Sequence, residues 1–202
     1  KQDNKKIYEI KQDGLYYKIN SEELFSGFII DNEIEHLIRE GYIKNGEKDG
    51  LWKGFDKNSG GIILKVRYKN GVRNGKFERY SFNQRLIGLG TYKNGKQNGL
   101  ITEWYVNGKK KSEGTYINGK KYGLYTEWYE NGKRQLEGTF KDGEEDGLFT
   151  LWYENGQMTT KGTYKDRKWD GLLTLWYENG KKEYEGTIKE GKRDGLSTKW
   201  YK

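Results

Sequence analysis

A Gly-Leu pair and a Trp-Tyr pair return every 24 residues through the second half of this chain. Gly99, Gly123, Gly147, Gly171 and Gly195 each precede Leu, and Trp104, Trp128, Trp152, Trp176 and Trp200 each precede Tyr. Asn-Gly follows four of the five tryptophans, at 107–108, 131–132, 155–156 and 179–180. A unit this short cannot bury its apolar residues alone. It must stack on its neighbours, so the chain is a repeat array and its function belongs to a surface rather than to one pocket. Walking the beat backwards finds Gly75, Gly50 and Gly14 at growing irregularity. The reading is one continuous array over residues 41–202, preceded by a divergent capping repeat over 1–40.

Each unit holds two strand-like runs, such as Gly123–Tyr129 and Glu113–Gly119. Thr, Tyr and Trp favour strands, and Asn-Gly favours hairpin turns. No segment has a convincing helical period; residues 33–40 are read as strand. The expected fold is all-β: an elongated single-layer antiparallel sheet of tandem β-hairpins, a solenoid of about seven to eight units of 24 residues.

Turn register decides which side chains face the core. A three-residue loop Glu130-Asn131-Gly132, with Gly132 left-handed, sets Leu124 opposite Gly138. That puts Leu124, Thr126, Trp128, Gly138 and Phe140 on one inner face. Trp104, Trp128, Trp152, Trp176 and Trp200 then form the repeat core, each ring lying across Gly114, Gly138, Gly162 or Gly186, where a Cβ would collide. The outer face carries Tyr105, Tyr129, Tyr153 and Tyr177, with Phe149, Leu151, Leu173 and Leu175 as its greasiest stretch. Trp52 falls out of register, on the same outer face. Trp169 replaces residues that are polar elsewhere (Gln97, Lys121, Glu145, Arg193), beside Arg167, which stands where other turns have Gly. Local packing over an altered turn and a partner contact both remain open for Trp169. These outer residues are the candidates for partner binding.

Composition narrows the chemistry. Only 32% of residues are hydrophobic and 34% are charged, yet 15% are aromatic, which favours a thin core of flat rings over disorder. There is no cysteine and one histidine, His36, so no thiolate, Cys nucleophile or His cluster exists for a metal. Glu103 and Glu127 recur one per repeat rather than as one catalytic pair. The chain reads as a non-enzyme without cofactor. Net charge is +8, but 30 acids are interspersed among 38 bases, which disfavours nucleic acid. A protein partner is favoured, with an anionic membrane surface met through turn lysines as the alternative. Lys199–Lys202 leaves an edge strand that could pair two copies. The opening Lys-Gln-Asp-Asn in place of Met points to a trimmed chain or a removed signal peptide, and export is favoured over the cytoplasm.

The run Gly-Thr-Tyr-Lys-Asn-Gly-Lys, followed by Gly-Leu-x-Thr-Glu-Trp-Tyr-x-Asn-Gly, resembles the bacterial MORN-repeat variant, carried by proteins often labelled YwqK-family antitoxins. The resemblance covers about residues 41–202. It implies a hairpin solenoid and a binding module, with roles in scaffolding, lipid contact, self-association or immunity.

Overall fold

The computed structural model describes residues 7–202. Among them are nineteen strands and no helix. Strands β1 (Tyr8–Ile10) and β2 (Tyr16–Lys18) form a small sheet, and β3 to β19 form a 17-stranded antiparallel sheet. Of the segment expected to cap the array, residues 1–6 lie outside the described residues. Residues 33–40 are strand as read, but divided between β3 (Gly27–Ile34) and β4 (Leu37–Lys44). His36 lies in the turn between them, 76% exposed.

The chain forms two compact units. The first ends at Leu86 and takes in Thr91–Lys96; the second comprises Ile87–Gly90 and Gln97–Lys202. In the first, β4, β5 (Glu47–Asp56), β6 (Ile62–Lys69) and β7 (Val72–Tyr80) pair in chain order. In the second, the regular hairpins run from β10 (Gly99–Trp104) through β11 (Lys110–Ile117), β12 (Lys120–Trp128), β13 (Arg134–Lys141) and β14 (Glu144–Trp152) to β15 (Met158–Lys165). The short β16 (Lys168–Trp169) and then β17 (Gly171–Trp176), β18 (Lys182–Lys189) and β19 (Lys192–Lys199) continue the order.

Two turn types alternate. One is a two-residue type I′ turn with both residues left-handed, as at Asn118 (φ 51°) and Gly119 (φ 85°). Arg167 sits in the same turn at φ 63°, so the turn is kept and a non-glycine residue carries its strain. The other is the expected three-residue loop. Tyr129 N–H donates to the Lys133 carbonyl and Gly132 N–H to the Tyr129 carbonyl, both at 2.8 Å, with Gly132 at φ 89°.

The loop is as read, but the register beyond it is not. Trp128 pairs with Arg134, as the loop dictates; then Glu127 pairs with Leu136, leaving Gln135 without an opposite residue. Lys111, Thr159 and Glu183 bulge in the same way one repeat apart. One extra residue shifts the pairing by one and moves the partner strand's side chains to the other face. Gly138 therefore faces Tyr125 and Phe149, not Leu124.

For the first strand of each hairpin the core is consequently the face expected to be outer, whereas Phe140 on the second strand is in the core as expected. Ile101, Tyr125 and Phe149 are 4, 7 and 4% exposed, whereas Leu100, Leu124, Leu148 and Leu172 are 58, 58, 52 and 59% exposed. Tyr125, Phe140 and Phe149 form a cluster against which Leu136, Tyr164 and Trp169 pack. Consecutive rings meet edge-on, Tyr125–Phe140 at 5.6 Å, Phe140–Phe149 at 5.2 Å and Phe149–Tyr164 at 5.0 Å, each such pair adding about 0.5–1.5 kcal/mol beyond its buried area. Gly114 and Gly138 do lie under rings, but under those of Tyr125 and Phe149. A Cβ on Gly114 would stand 2.4 Å from the first, and one on Gly138 would stand 2.3 Å from the second. Gly162 lies against Trp169 and Leu173, and Gly186 against Tyr184 and Ser197.

Candidate functional site

The tryptophans Trp104, Trp128, Trp152 and Trp176 are half-buried on the leucine face, and Trp200 is 37% exposed; they are not the core. On that face Lys110 reaches Glu113 at 2.8 Å and lies 5.6 Å from the Trp128 ring. Glu113 also accepts from the buried Thr102 hydroxyl at 3.1 Å. Lys182, Glu185, Thr174 and Trp200 repeat the arrangement.

The tyrosines after each tryptophan are structural too. The phenols of Tyr105 and Tyr129 donate to the Trp128 and Trp152 carbonyls at 2.7 Å; Tyr153 and Tyr177 reach those of Trp176 and Trp200 at 3.1 and 2.8 Å. Asn131 closes its own turn by accepting from Lys133 N–H, and its Nδ2 donates to the Glu154 carbonyl, both at 2.9 Å. Lys133 Nζ reaches the Asn155 carbonyl at 2.5 Å. Tyr-x-Asn-Gly-Lys is thus a clasp that ties each turn to the next. Burial, with the carboxylate of Glu154 beside it, pushes the Tyr129 phenol above its ordinary range.

The other candidates move inward. Phe149 is core, and Leu151, Leu173 and Leu175 are half-buried on the aromatic face. Trp52 is 2% exposed, its N–H donating to the Tyr42 carbonyl at 3.2 Å. Trp169 lies 3.9 Å from the Tyr164 ring, which favours the packing reading. Its column explains why. Lys48 stands over Trp52 at 4.5 Å, Arg73 over Tyr92 at 5.4 Å, Lys121 over Tyr125 at 3.4 Å and Arg193 over Tyr184 at 5.3 Å. The column caps the aromatic row, by cation–π contact in most units and by a ring at Trp169. Burial lowers the Lys48 and Lys121 ammonium pKa values.

Two features stay open to a ligand. The first unit has a cleft of about 520 Å³ lined by Leu15, Tyr16, Glu47, Lys48, Tyr68 and Val72. Among the described residues no group of three or more His, Asp or Glu could hold a metal ion. The second feature is the leucine face of the second unit. Leu124, Leu148 and Leu172 stand opposite Thr139, Thr163 and Thr187, and Lys141, Lys165 and Lys189 follow two residues further along the same strands, all three exposed. Sequence reasoning placed these leucines inside. The signal available was the spacing of Leu and Lys at a common period of 24.

A search of curated proteins gives no match. Thirty-three solved chains match. One, described as "Crystal Structure of TarM", is 15% identical over 57% of this chain, with a TM-score of 0.30, and this chain spans about a fifth (21%) of its length. The MORN repeat variant family model matches residues 97–118, 121–142, 145–166 and 169–190, each segment running from one type I′ turn to the next. Residues 97–190 therefore contain four tandem segments similar to the MORN repeat variant.

Proposed function

We propose that the chain is a non-catalytic docking scaffold for a protein partner, and that the partner sits on the leucine face of the second unit. MORN repeats are generally modules of protein or membrane interaction. The observation that supports this placement is the exposure of Leu100, Leu124, Leu148 and Leu172, each above half, in a unit whose own core occupies the opposite face. Contiguous exposed apolar rows mark interaction sites. An immunity or antitoxin-like role is one instance, the partner then being a toxin. The test is capture of a stoichiometric partner by wild type and by the doubly substituted Leu148→Ser, Leu172→Ser protein. Loss of the complex with retained circular dichroism supports the placement; equal capture by both refutes it.

A second reading draws on the lysines flanking the same row: attachment to an anionic membrane surface. It requires vesicle flotation that weakens as salt is raised, because exposed charges are screened within about 10 Å at 0.1 M salt. Binding that does not change with salt removes it.

A further inference from the structure

We infer that the leucine face of the second unit receives an amphipathic α-helix with an acidic flank, laid across the strands along the leucine row. The inference rests on the docking reading above and specifies the form of the partner.

Spacing is the first argument. Each repeat contributes two strands about 4.8 Å apart, so successive leucines stand about 10 Å apart. A helix rises 1.5 Å per residue, so one heptad covers about 10.5 Å. A helix with an apolar residue at each heptad therefore meets one leucine rung per repeat, at Leu124, Leu148 and Leu172. An extended strand covers the same interval in about three residues, but its third residue points to the opposite side. It can meet only every second rung.

Charge is the second argument. Lys141, Lys165 and Lys189 border the row, and the turn pairs Lys165–Lys168 and Lys189–Lys192 set two more exposed lysines beside them. Glu144 faces Lys141 across its turn, and it also lies 3.3 Å from Arg167. At the next two turns bases outnumber acids, Lys165, Arg167 and Lys168 against Asp166 and then Lys189 and Lys192 against Glu190, so the border is net cationic there and a bound helix carries Asp or Glu on that side. Such exposed pairs contribute little affinity each, but they fix orientation and partner choice. The residues opposite the leucines are threonines, smaller than leucine, which leaves room for a helix ridge between leucine and lysine rows.

The experiment is selection of a displayed random library of peptides about 21 residues long, three heptads, on the intact protein. Counter-selection uses the Leu148→Ser, Leu172→Ser protein, which circular dichroism and thermal melting must show to be folded. Enriched peptides are expected to carry apolar residues at heptad spacing with Asp or Glu to one side. A purified peptide should gain helicity on binding, bind at least about tenfold more weakly to the leucine variant, a loss of about 1.4 kcal/mol, and several-fold more weakly to Lys165→Glu, Lys189→Glu. Enriched peptides that alternate apolar and polar residues and still depend on the leucines overturn the helix but leave the docking reading standing. Peptides indifferent to the leucine substitutions overturn both. No enrichment, with leucine-dependent binding of vesicles containing phosphatidylserine, assigns the face to lipid and overturns the inference.

Discussion

Replacing Gly138 by alanine puts a methyl group where the Phe149 ring already lies. The three nearest ring atoms would stand 2.3, 2.5 and 2.5 Å from the new Cβ, against an ordinary carbon–carbon contact of about 3.5–4.0 Å. The ring cannot swing clear, because Phe140 and Tyr164 flank it at 5.2 and 5.0 Å and it is 4% exposed. Overpacking of this kind costs about 1–3 kcal/mol. Removing a glycine from a strand returns about 0.5–1 kcal/mol. The net expectation is a loss of about 1–2 kcal/mol, read as a lower urea midpoint at unchanged slope. Phe149→Ala alone should cost about 3–5 kcal/mol and vacate the space the methyl needs. In that background Gly138→Ala becomes neutral or stabilising, a coupling of about 2 kcal/mol. Equal costs in both backgrounds would refute the packing argument. Coupling to Leu124→Ala instead would show that the bulge at Gln135 is absent and the faces are reversed.

Three other substitutions probe the clasp, the turn and acid stability. Tyr129→Phe removes the donor to the Trp152 carbonyl and should cost about 1 kcal/mol in thermal or urea melts, whereas Tyr201→Phe, at a residue 83% exposed, should cost nothing measurable. Arg167→Gly relieves a left-handed residue at φ 63° and removes only a surface ion pair to Glu144, so it should stabilise by about 0.5–1 kcal/mol; a loss instead would show that the ion pair outweighs the strain. Lys76 at 2.7 Å, the Tyr80 hydroxyl at 2.6 Å and Lys65 at 3.2 Å hold the Glu78 carboxyl down to about 2 from 4.5. Since the folded value is the lower one, this stabilisation is complete above the unfolded value and disappears as pH falls from 4.5 through about 2. Glu78→Gln should therefore flatten the acid limb of the stability curve by about 1–2 kcal/mol, allowing for solvent screening, and an unaltered limb would contradict the assignment.

Much of the fold was legible because its signals are local. Asn-Gly at 118–119 and Glu-Asn-Gly at 130–132 each specify a turn through positive φ, and the alternation of the two turns follows from their spacing. The faces were not legible, because one unpaired residue decides them. Lys111, Gln135, Thr159 and Glu183 share no chemistry that marks a bulge. Their positions are set by how the strands pair on both sides, which is not a local property. The same slip misplaced Phe149 and Trp52 outward and Leu124 inward. Trp169 was legible as an exception to its column, and its packing role follows once Lys121 and Arg193 are seen to cap the same aromatic row.

The strict residues of the repeat divide by what each does for the sheet. The glycines before each leucine hold positive φ, and Gly114 and Gly138 give space to a ring. Tyr, Asn and Lys of the clasp satisfy carbonyls in the next turn, and the buried threonines pair with Glu113 and Glu185. Leucine is the exception. It recurs as regularly as the glycine before it, yet more than half of its surface at positions 100, 124, 148 and 172 remains in water. Burying four such side chains would yield about 1 kcal/mol or more apiece at roughly 25 cal/mol per Å². That gain is largely unclaimed by the sheet itself, and it is available to whatever covers the leucine face.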